Sequence, residues 1–195
     1  MKLAIVGNGK LSQNYGKDID SCDLVIRFNK AKTKGYEQLV GTKTSILALV
    51  GETSLSYNQA VDKLDKSIVR DIEYIYISGR KRNEDYEKAI LKLKGHGNII
   101  FQYINYDYFK AMCTLIDIKT NKNPSTGINI LCYMIATHMN LNDGDNEFNI
   151  YGFDNFKSGH YFDDENRNNS GFHDLDIERQ ILDYLNEFKN INMYI

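Results

Sequence analysis

Two histidines near the C-terminus are the residues best suited to acid–base chemistry. His160 lies in the run SGHYFD and His173 in the run GFHDLDIE, within a stretch rich in glycine and asparagine. Such a polar, irregular stretch is unsuited to burying imidazoles in a core, and histidine changes its charge near neutral pH. We therefore treat both as candidate catalytic residues, with solvated loop histidines as the alternative. His96 and His138 are interpreted as incidental.

A glycine-rich turn directly follows the first apolar run, Leu3–Val6. Gly7 and Gly9 lack side chains, so their backbone can approach a phosphate closely, and the amide of Asn8 both donates and accepts hydrogen bonds. The dinucleotide fingerprint fails, because Ser12 stands where its third glycine belongs. The turn is interpreted as part of a nucleotide site, with a purely structural glycine turn as the alternative.

A helix start forms the second candidate site. The run NPSTG, which contains Ser125, Thr126 and Gly127, leads into the apolar stretch 128–139. Ser125 and Thr126 can cap such a helix and leave its first amides pointing outward, where the positive end of the helix dipole favours an anion. An ordinary capped helix after a proline is the alternative.

The composition limits the class of protein. The chain has 195 residues, of which 42% are hydrophobic, and this suits one domain spanning residues 1–195. A net charge of -2 argues against a nucleic-acid binder, which usually carries a basic face. The three cysteines, whose spacings match neither a zinc site nor a disulfide framework, are interpreted as reduced thiols. Since no signal peptide follows Met1 and no apolar stretch approaches the roughly 20 residues that span a bilayer, we expect a cytoplasmic protein. Peripheral contact with the inner face of the membrane is left open.

Apolar runs of strand length alternate with runs of helical spacing. The predicted strands are Leu3–Val6, Leu24–Phe28, Ser45–Val50, Tyr74–Ile77, Ile99–Ile104 and Phe148–Tyr151. The predicted helices are Tyr57–Leu64, Glu84–Leu93, Tyr106–Ile118, Ser125–Met139 and Leu175–Phe188. This alternation predicts an α/β fold with a mostly parallel sheet flanked by helices, in which ligands bind beyond the carboxyl ends of the strands.

Taken in order along the chain, these clusters resemble the four sialyl motifs of the eukaryotic-type sialyltransferase family. The runs IVGNG, YG, VIRFN, GYE and VGTKT are similar to the large motif, and NPSTG with NIYGF resembles the small motif. HYFD resembles the third motif, whose usual final glutamate is Asp163 here, and His173 with Glu178 matches the very small motif. Leu3 and His138 stand near the positions of that family's disulfide cysteines, and the short chain is more similar to a bacterial relative than to a Golgi enzyme.

The resemblance implies a Rossmann-like variant of the GT-A fold. It also implies an inverting enzyme that moves sialic acid, or a related nonulosonic acid, from a CMP-sugar to a glycan or lipid-linked saccharide, as in polysaccharide biosynthesis. His173 is then the general base, His160 faces the departing phosphate, and Glu178 orients its segment. The residues implied to contact the donor are Gly7, Asn8, Gly9, Asn29, Ser125, Thr126, Gly127 and Tyr161.

No cofactor or metal is expected. Among the Asp-x-Asp runs, Asp18–Asp20 belongs to the large motif, Asp143–Asp145 to a predicted turn and Asp174–Asp176 to the very small motif. The acidic run 163–165 matches no known ligand spacing. Histidine, amides and a helix terminus can stabilise a single departing phosphate. Two alternatives stay open, a CMP-Kdo-type sugar transferase and a nucleotide-binding protein without catalysis.

Overall fold

Seven strands form one parallel sheet in the computed structural model, which describes residues 1–51, 72–80, 99–138, 146–154, 157, 159–162 and 173–194. The strands are β1 (Lys2–Val6), β2 (Leu24–Phe28), β3 (Ile46–Val50), β4 (Tyr74–Ser78), β5 (Ile100–Ile104), β6 (Glu147–Tyr151) and β7 (Ile191–Tyr194). They lie in the order β5-β4-β3-β2-β1-β6-β7, and every neighbouring pair is parallel. The predicted α/β class and parallel sheet are confirmed, and all six predicted strands agree to within one residue at each end.

Five helices accompany this sheet in the described residues. They are α1 (Gly16–Asp20), α2 (Glu37–Val40), α3 (Asp107–Leu115), α4 (Thr126–His138) and α5 (Leu175–Leu185). The last three confirm predicted helices, with ends up to three residues shorter than the apolar pattern indicated. The predicted helices 57–64 and 84–93 lie outside the described residues.

Side chains on both faces of the sheet are buried. Leu3 and Ile5 of β1 pack into the cluster that contains α4 and α5 residues, whereas Ala4 and Val6 pack into a cluster with Ile19 of α1. Helices therefore cover both faces, which is the arrangement that parallel sheets require, because their strands are apolar on both sides.

Arg27, a residue of β2, is a fully buried cation. Its Nε donates to the Lys43 carbonyl at 3.1 Å and to the Thr44 hydroxyl at 3.1 Å, and a terminal nitrogen donates to the Val40 carbonyl at 2.7 Å. Burial lowers the pKa of Arg27 to about 10. The arginine of the VIRFN run thus fixes the loop between α2 and β3 to β2.

The carboxyl ends of the strands share one edge, because all seven run in the same direction. Gly7 follows β1, Asn29 follows β2 and Gly152 follows β6, and these three strands are adjacent in the sheet. The predicted site residues that follow strands therefore lie at the same edge.

Candidate functional site

The turn after β1 packs directly against the turn after β6. The Gly7 N–H donates to the Tyr151 carbonyl at 2.7 Å, and the Gly9 N–H donates to the Gly152 carbonyl at 3.0 Å. A Cβ on Gly7 or Gly9 would lie 2.5 or 2.6 Å from the Gly152 oxygen, closer than van der Waals contact allows. The missing side chains thus permit this backbone packing, which is the structural-turn interpretation. Approach to a phosphate would have to come from another side of the turn.

Two asparagines project from the ends of β1 and β2. Asn8 Nδ2 donates to the Phe28 carbonyl at 3.1 Å, and this bond fixes the orientation of the amide because a carbonyl only accepts. Asn8 Oδ1 is buried and has no partner in the described part of the chain. Asn29 has a positive φ of 49°, and its Oδ1 accepts the Val50 N–H at 2.9 Å. The two residues leave an acceptor on Asn8 and the amide donors of Asn29 for a ligand.

Phe153 connects the β1 turn with the start of α4. Ideal Cβ positions on Gly7 and on Gly127 each lie 3.0 Å from the Phe153 ring, and Phe28 meets this ring edge-on at 5.8 Å. The two glycine clusters of the sequence are therefore joined through one aromatic side chain. Phe153 belongs to the NIYGF run of the small motif, and its sequence context indicates no such role.

The start of α4 is held by a buried carboxylate. Glu178 of α5 is 3% exposed, and its oxygens accept the Ser125 N–H at 2.6 Å and the Ser125 hydroxyl at 2.9 Å. Ser125 Oγ also accepts the Ile128 N–H at 3.3 Å, so Ser125 caps the helix as predicted. The N–H groups of Thr126 and Gly127 have no acceptor in the described residues and stand at the helix N-terminus. Two amides and the helix dipole are thus available to an anion.

Burial raises the pKa of the Glu178 carboxyl above its ordinary value. Loss of water disfavours the ionised form, while the bonds from Ser125 and the nearby His173 oppose the shift. The ionised form of Glu178 is thus disfavoured by burial and favoured by its bonds to the start of α4.

His173 lies directly before α5 and contacts the residue that leads into Pro124. Its Nδ1 is 3.1 Å from the Asn123 carbonyl oxygen. Since a carbonyl oxygen cannot donate, Nδ1 must carry the proton, and the lone pair of the neutral ring is on Nε2. The imidazole is thus in the tautomer that accepts a proton at Nε2. The sequence alone carries no signal that the Asn123 carbonyl selects this tautomer, because the two residues are 50 positions apart.

His160 and Tyr161 reach the site from the β1 side. His160 forms an isolated antiparallel bridge with Gly9, and the Tyr161 N–H donates to the Asn8 carbonyl at 2.9 Å. The Tyr161 hydroxyl donates to the Lys32 carbonyl at 2.5 Å, and burial raises the pKa of Tyr161 to about 12. This hydroxyl is therefore engaged with the backbone, so any contact of Tyr161 with a donor would come through its ring.

Two further properties concern metals and membranes. Within the described ranges, no group of three or more His, Cys, Asp or Glu side chains could hold a metal ion. None of the helices in the described part of the chain has the length and apolar character needed to cross a bilayer. The three cysteines, all of them described, are free and buried.

Comparison with known proteins gives consistent matches. The sequence profile of the family described as Glycosyltransferase family 29 (sialyltransferase) matches residues 2–190. The chain is 29% identical over 208 residues to the CMP-N-acetylneuraminate-beta-galactosamide-alpha-2,3-sialyltransferase 1 of Gallus gallus. This match covers 99% of the chain and 58% of the relative. The chain thus spans somewhat over half the length of this curated relative.

Two solved structures share the fold. A mammalian sialyltransferase in complex with Gal-beta-1-3GalNAc-ortho-nitrophenol superposes with a TM-score of 0.65 at 22% identity, covering 99% of this chain and 68% of that one. The sialyltransferase CstII from Campylobacter jejuni, in complex with the substrate analogue CMP-3FNeuAc, superposes with a TM-score of 0.53 at 18% identity, covering 99% and 78%. At these identities the superpositions show the fold alone, in agreement with the predicted sialyltransferase-like architecture.

Proposed function

Because the chain belongs to glycosyltransferase family 29, the sialyltransferases, we propose that it transfers sialic acid, or a related nonulosonic acid, from a CMP-sugar to a saccharide hydroxyl. The observation that carries the proposal is the N-terminus of α4, where the amides of Thr126 and Gly127 have no acceptor in the described residues. Gly127 packs against the Phe153 ring, which also contacts Gly7 of the β1 turn. A helix terminus of this kind suits the single phosphate of a CMP-sugar. The solved CstII complex with CMP-3FNeuAc, on the same fold, supports this choice of donor.

We assign the donor contacts to polar atoms of the site that have no hydrogen-bond partner in the described residues. Thr126 and Gly127 donate to the phosphate, and Asn29 Nδ2 donates to the phosphate or to the ribose. Asn8 Oδ1 is an acceptor and is buried without a partner in the described residues, so it fits a ribose hydroxyl better than a phosphate oxygen. The N–H and hydroxyl of Ser125 are bonded to Glu178, so Ser125 fixes the start of α4 and contacts cytidine by van der Waals packing.

The transfer step uses His173 as general base. The acceptor oxygen attacks the anomeric carbon from the face opposite the phosphate, its proton passes to His173 Nε2, and the bond from the anomeric carbon to the phosphate oxygen breaks. The electron pair of that bond leaves with CMP, and the configuration of the anomeric carbon inverts. His160 donates toward the phosphate as its charge grows, an interaction that is strongest in the transition state.

The proposed enzyme needs no metal. The α4 amides and His160 supply charge stabilisation at one phosphate, a smaller charge than the diphosphate of other nucleotide sugars. CMP release in excess EDTA should keep the rate measured without chelator. A rate lost in EDTA and restored by Mg²⁺ or Mn²⁺ would contradict metal independence and would leave the choice of donor unaffected.

A donor and acceptor panel tests the proposal. CMP should raise the melting temperature of the protein, while AMP, GMP and NAD should leave it nearly unchanged, because a ligand that binds only the folded state stabilises it. Release of CMP is then measured from CMP-Neu5Ac and CMP-Kdo, with and without lactose-type acceptors. Equal stabilisation by NAD would refute the CMP site, and turnover of CMP-Kdo alone would refute sialic acid as the donor sugar.

A further inference from the structure

A groove of about 660 Å³ opens next to the candidate base, at the carboxyl ends of β4 and β5. It lies between the first turns of α3 and the segment 118–124 that leads into α4. Its volume is in the range of pockets that hold small molecules. The groove is distinct from the β1 turn and from the α4 amides, to which the proposed function assigns the donor.

The groove is connected to His173 by hydrogen bonds. Arg80 Nε donates to the Asn123 side-chain oxygen at 2.6 Å, and the Asn123 backbone carbonyl faces His173 Nδ1 at 3.1 Å. Lys122 Nζ donates to the His173 carbonyl at 3.4 Å. Arg80, Lys122 and Asn123 all line the groove, so two of its lining residues, Lys122 and Asn123, hydrogen-bond His173.

The charges of the lining oppose the charge of the chain. Among the described residues, four cations and one carboxylate line the groove, and this carboxylate, Asp107, is 3.8 Å from Lys110 Nζ. A second carboxylate, Asp174, accepts a hydrogen bond from Thr120 just outside the lining. Within the part of the chain that the structure describes, the cations outnumber the carboxylates by two, four against two, on a protein whose net charge is -2. The four cations are Arg80, Lys110, Lys119 and Lys122.

Apolar surface makes up another part of the wall. Tyr106, Phe109 and Pro124 line the groove, and Phe109 is 3% exposed. All three side chains are buried and form the floor of the groove, while the lysines can meet a charged substituent of a bound molecule. The combination of cations, amides and rings fits a sugar with an acidic group better than it fits a neutral sugar.

We propose that this groove binds the acceptor, and that the acceptor is a saccharide carrying an anionic group, a carboxylate or a phosphate, near the hydroxyl that is transferred to. This inference rests on the proposed function. The solved mammalian relative was crystallised with a neutral disaccharide, Gal-beta-1-3GalNAc, so the proposal separates this chain from that protein.

The test compares matched acceptors. With CMP-Neu5Ac as donor, kcat/KM is measured for lactose, sialyllactose and a phosphorylated lactose, which distinguishes a carboxylate from a phosphate. We expect one of the two anionic acceptors to exceed lactose. In the variant K110Q/K119Q, the ratio of the anionic to the neutral kcat/KM should fall about 5-fold, the scale of exposed charge contacts. Adding salt to the wild-type protein should lower the same ratio.

The control variant K17Q/K189Q removes the same charge from exposed lysines outside the groove lining and should keep the ratio. A wild-type preference for lactose, or an unchanged ratio in K110Q/K119Q, would overturn the proposal. If only the KM for CMP-Neu5Ac rose in K110Q/K119Q, the groove would bind the CMP donor and not the acceptor. If the protein neither hydrolyses CMP-Neu5Ac nor transfers its sialic acid, the proposed function fails. Saturation-transfer NMR, which compares the binding of sialyllactose with that of lactose, then still decides whether the groove binds an anionic sugar.

Discussion

The imidazole of His173 has its tautomer set by a backbone carbonyl. Because the Asn123 oxygen is 3.1 Å from Nδ1, the base must act through Nε2. We expect His173→Ala to keep CMP binding and to lower turnover by about 10²–10⁴-fold, the usual scale for a general base. Initial rates and CMP titrations measure the two effects separately.

The pH dependence gives an independent measure of the same residue. Protonation at Nε2 removes the lone pair, so the wild-type rate should fall on the acid side, and this limb should disappear or shift in the residual activity of His173→Ala. His138→Ala serves as the control, since His138 ends α4 and its Nδ1 pairs with the Thr137 hydroxyl at 2.7 Å. A folded His173→Ala protein with the wild-type rate would assign the base to another group.

Asn8 provides a second prediction at the level of one residue. Its Nδ2 is bonded to the Phe28 carbonyl, and its buried Oδ1 accepts no hydrogen bond from the described residues. Asn8→Ala should weaken CMP binding about 10-fold, because a ligand hydroxyl loses its acceptor inside a buried site. Isothermal titration with CMP measures the change, with exposed Asn186→Ala as the control. Unchanged affinity in Asn8→Ala would move the nucleotide away from the β1 turn.

At the level of elements, Glu178 couples α5 to the start of α4. Glu178→Ala removes the acceptors of the Ser125 N–H and hydroxyl, and should lower the free energy of unfolding by about 1–3 kcal/mol. Glu178→Gln keeps one acceptor and cannot ionise, so it should be milder. Urea unfolding of both variants measures these differences.

The sign of the pH effect follows from the raised pKa of Glu178. The folded protein binds the proton more readily than the unfolded chain, so its stability relative to Glu178→Gln is greatest below the unfolded pKa. That advantage is lost as the pH rises through the folded pKa. We expect the stability of Glu178→Gln to increase relative to that of the wild type as the pH rises above the unfolded pKa of glutamate, about 4.3. A difference in unfolding free energy between the wild type and Glu178→Gln that does not vary with pH would contradict this account. So would the same pH trend in the exposed control Glu187→Gln.

Strand length and apolar content were sufficient to find β1 to β6, but not the smaller elements. β7, with the sequence INMY, has only four residues and is not a continuous apolar run. It begins six residues after the end of α5, too close for the pattern to separate it from the helix. α1 starts at Gly16, a poor helix former, and α2 is a single turn of four residues. Contacts with the rest of the fold determine these elements, and local sequence does not carry that information.

Across the whole molecule, the convergence of the site was predictable and its detailed chemistry was not. The rule that parallel strands present ligands at their carboxyl ends brings together Gly7, Asn29 and Gly152. The contacts that decide function join segments far apart in sequence, such as Arg80 with Asn123 and Ser125 with Glu178. Periodicity cannot indicate which carbonyl faces which histidine, so the tautomer of His173 required the fold.

The final strand connects the C-terminal end of the chain to the donor turn. The Tyr194 carbonyl accepts the Gly152 N–H at 3.0 Å, and its ring stacks on Tyr151 at 4.6 Å and meets Tyr15 at 5.1 Å. Gly152 in turn accepts the Gly9 N–H. Tyr194 thus supports the β1 turn from about 185 residues away along the chain.

Tyr194→Ala should therefore affect both stability and ligand binding. Loss of the ring should lower the free energy of unfolding by about 2 kcal/mol, less than for a fully buried aromatic residue because Tyr194 is half-buried. The loosened Gly152 should also reduce the CMP-induced rise in melting temperature. Tyr194→Phe keeps the stacking and loses only the hydroxyl bond to Asn149 at 3.3 Å, so it should change stability by less than about 1 kcal/mol. Urea unfolding with and without CMP measures both effects. If Tyr194→Ala lost stability but kept the full CMP shift, the donor turn would be rigid without β7, and the coupling between the two ends of the chain would be purely structural.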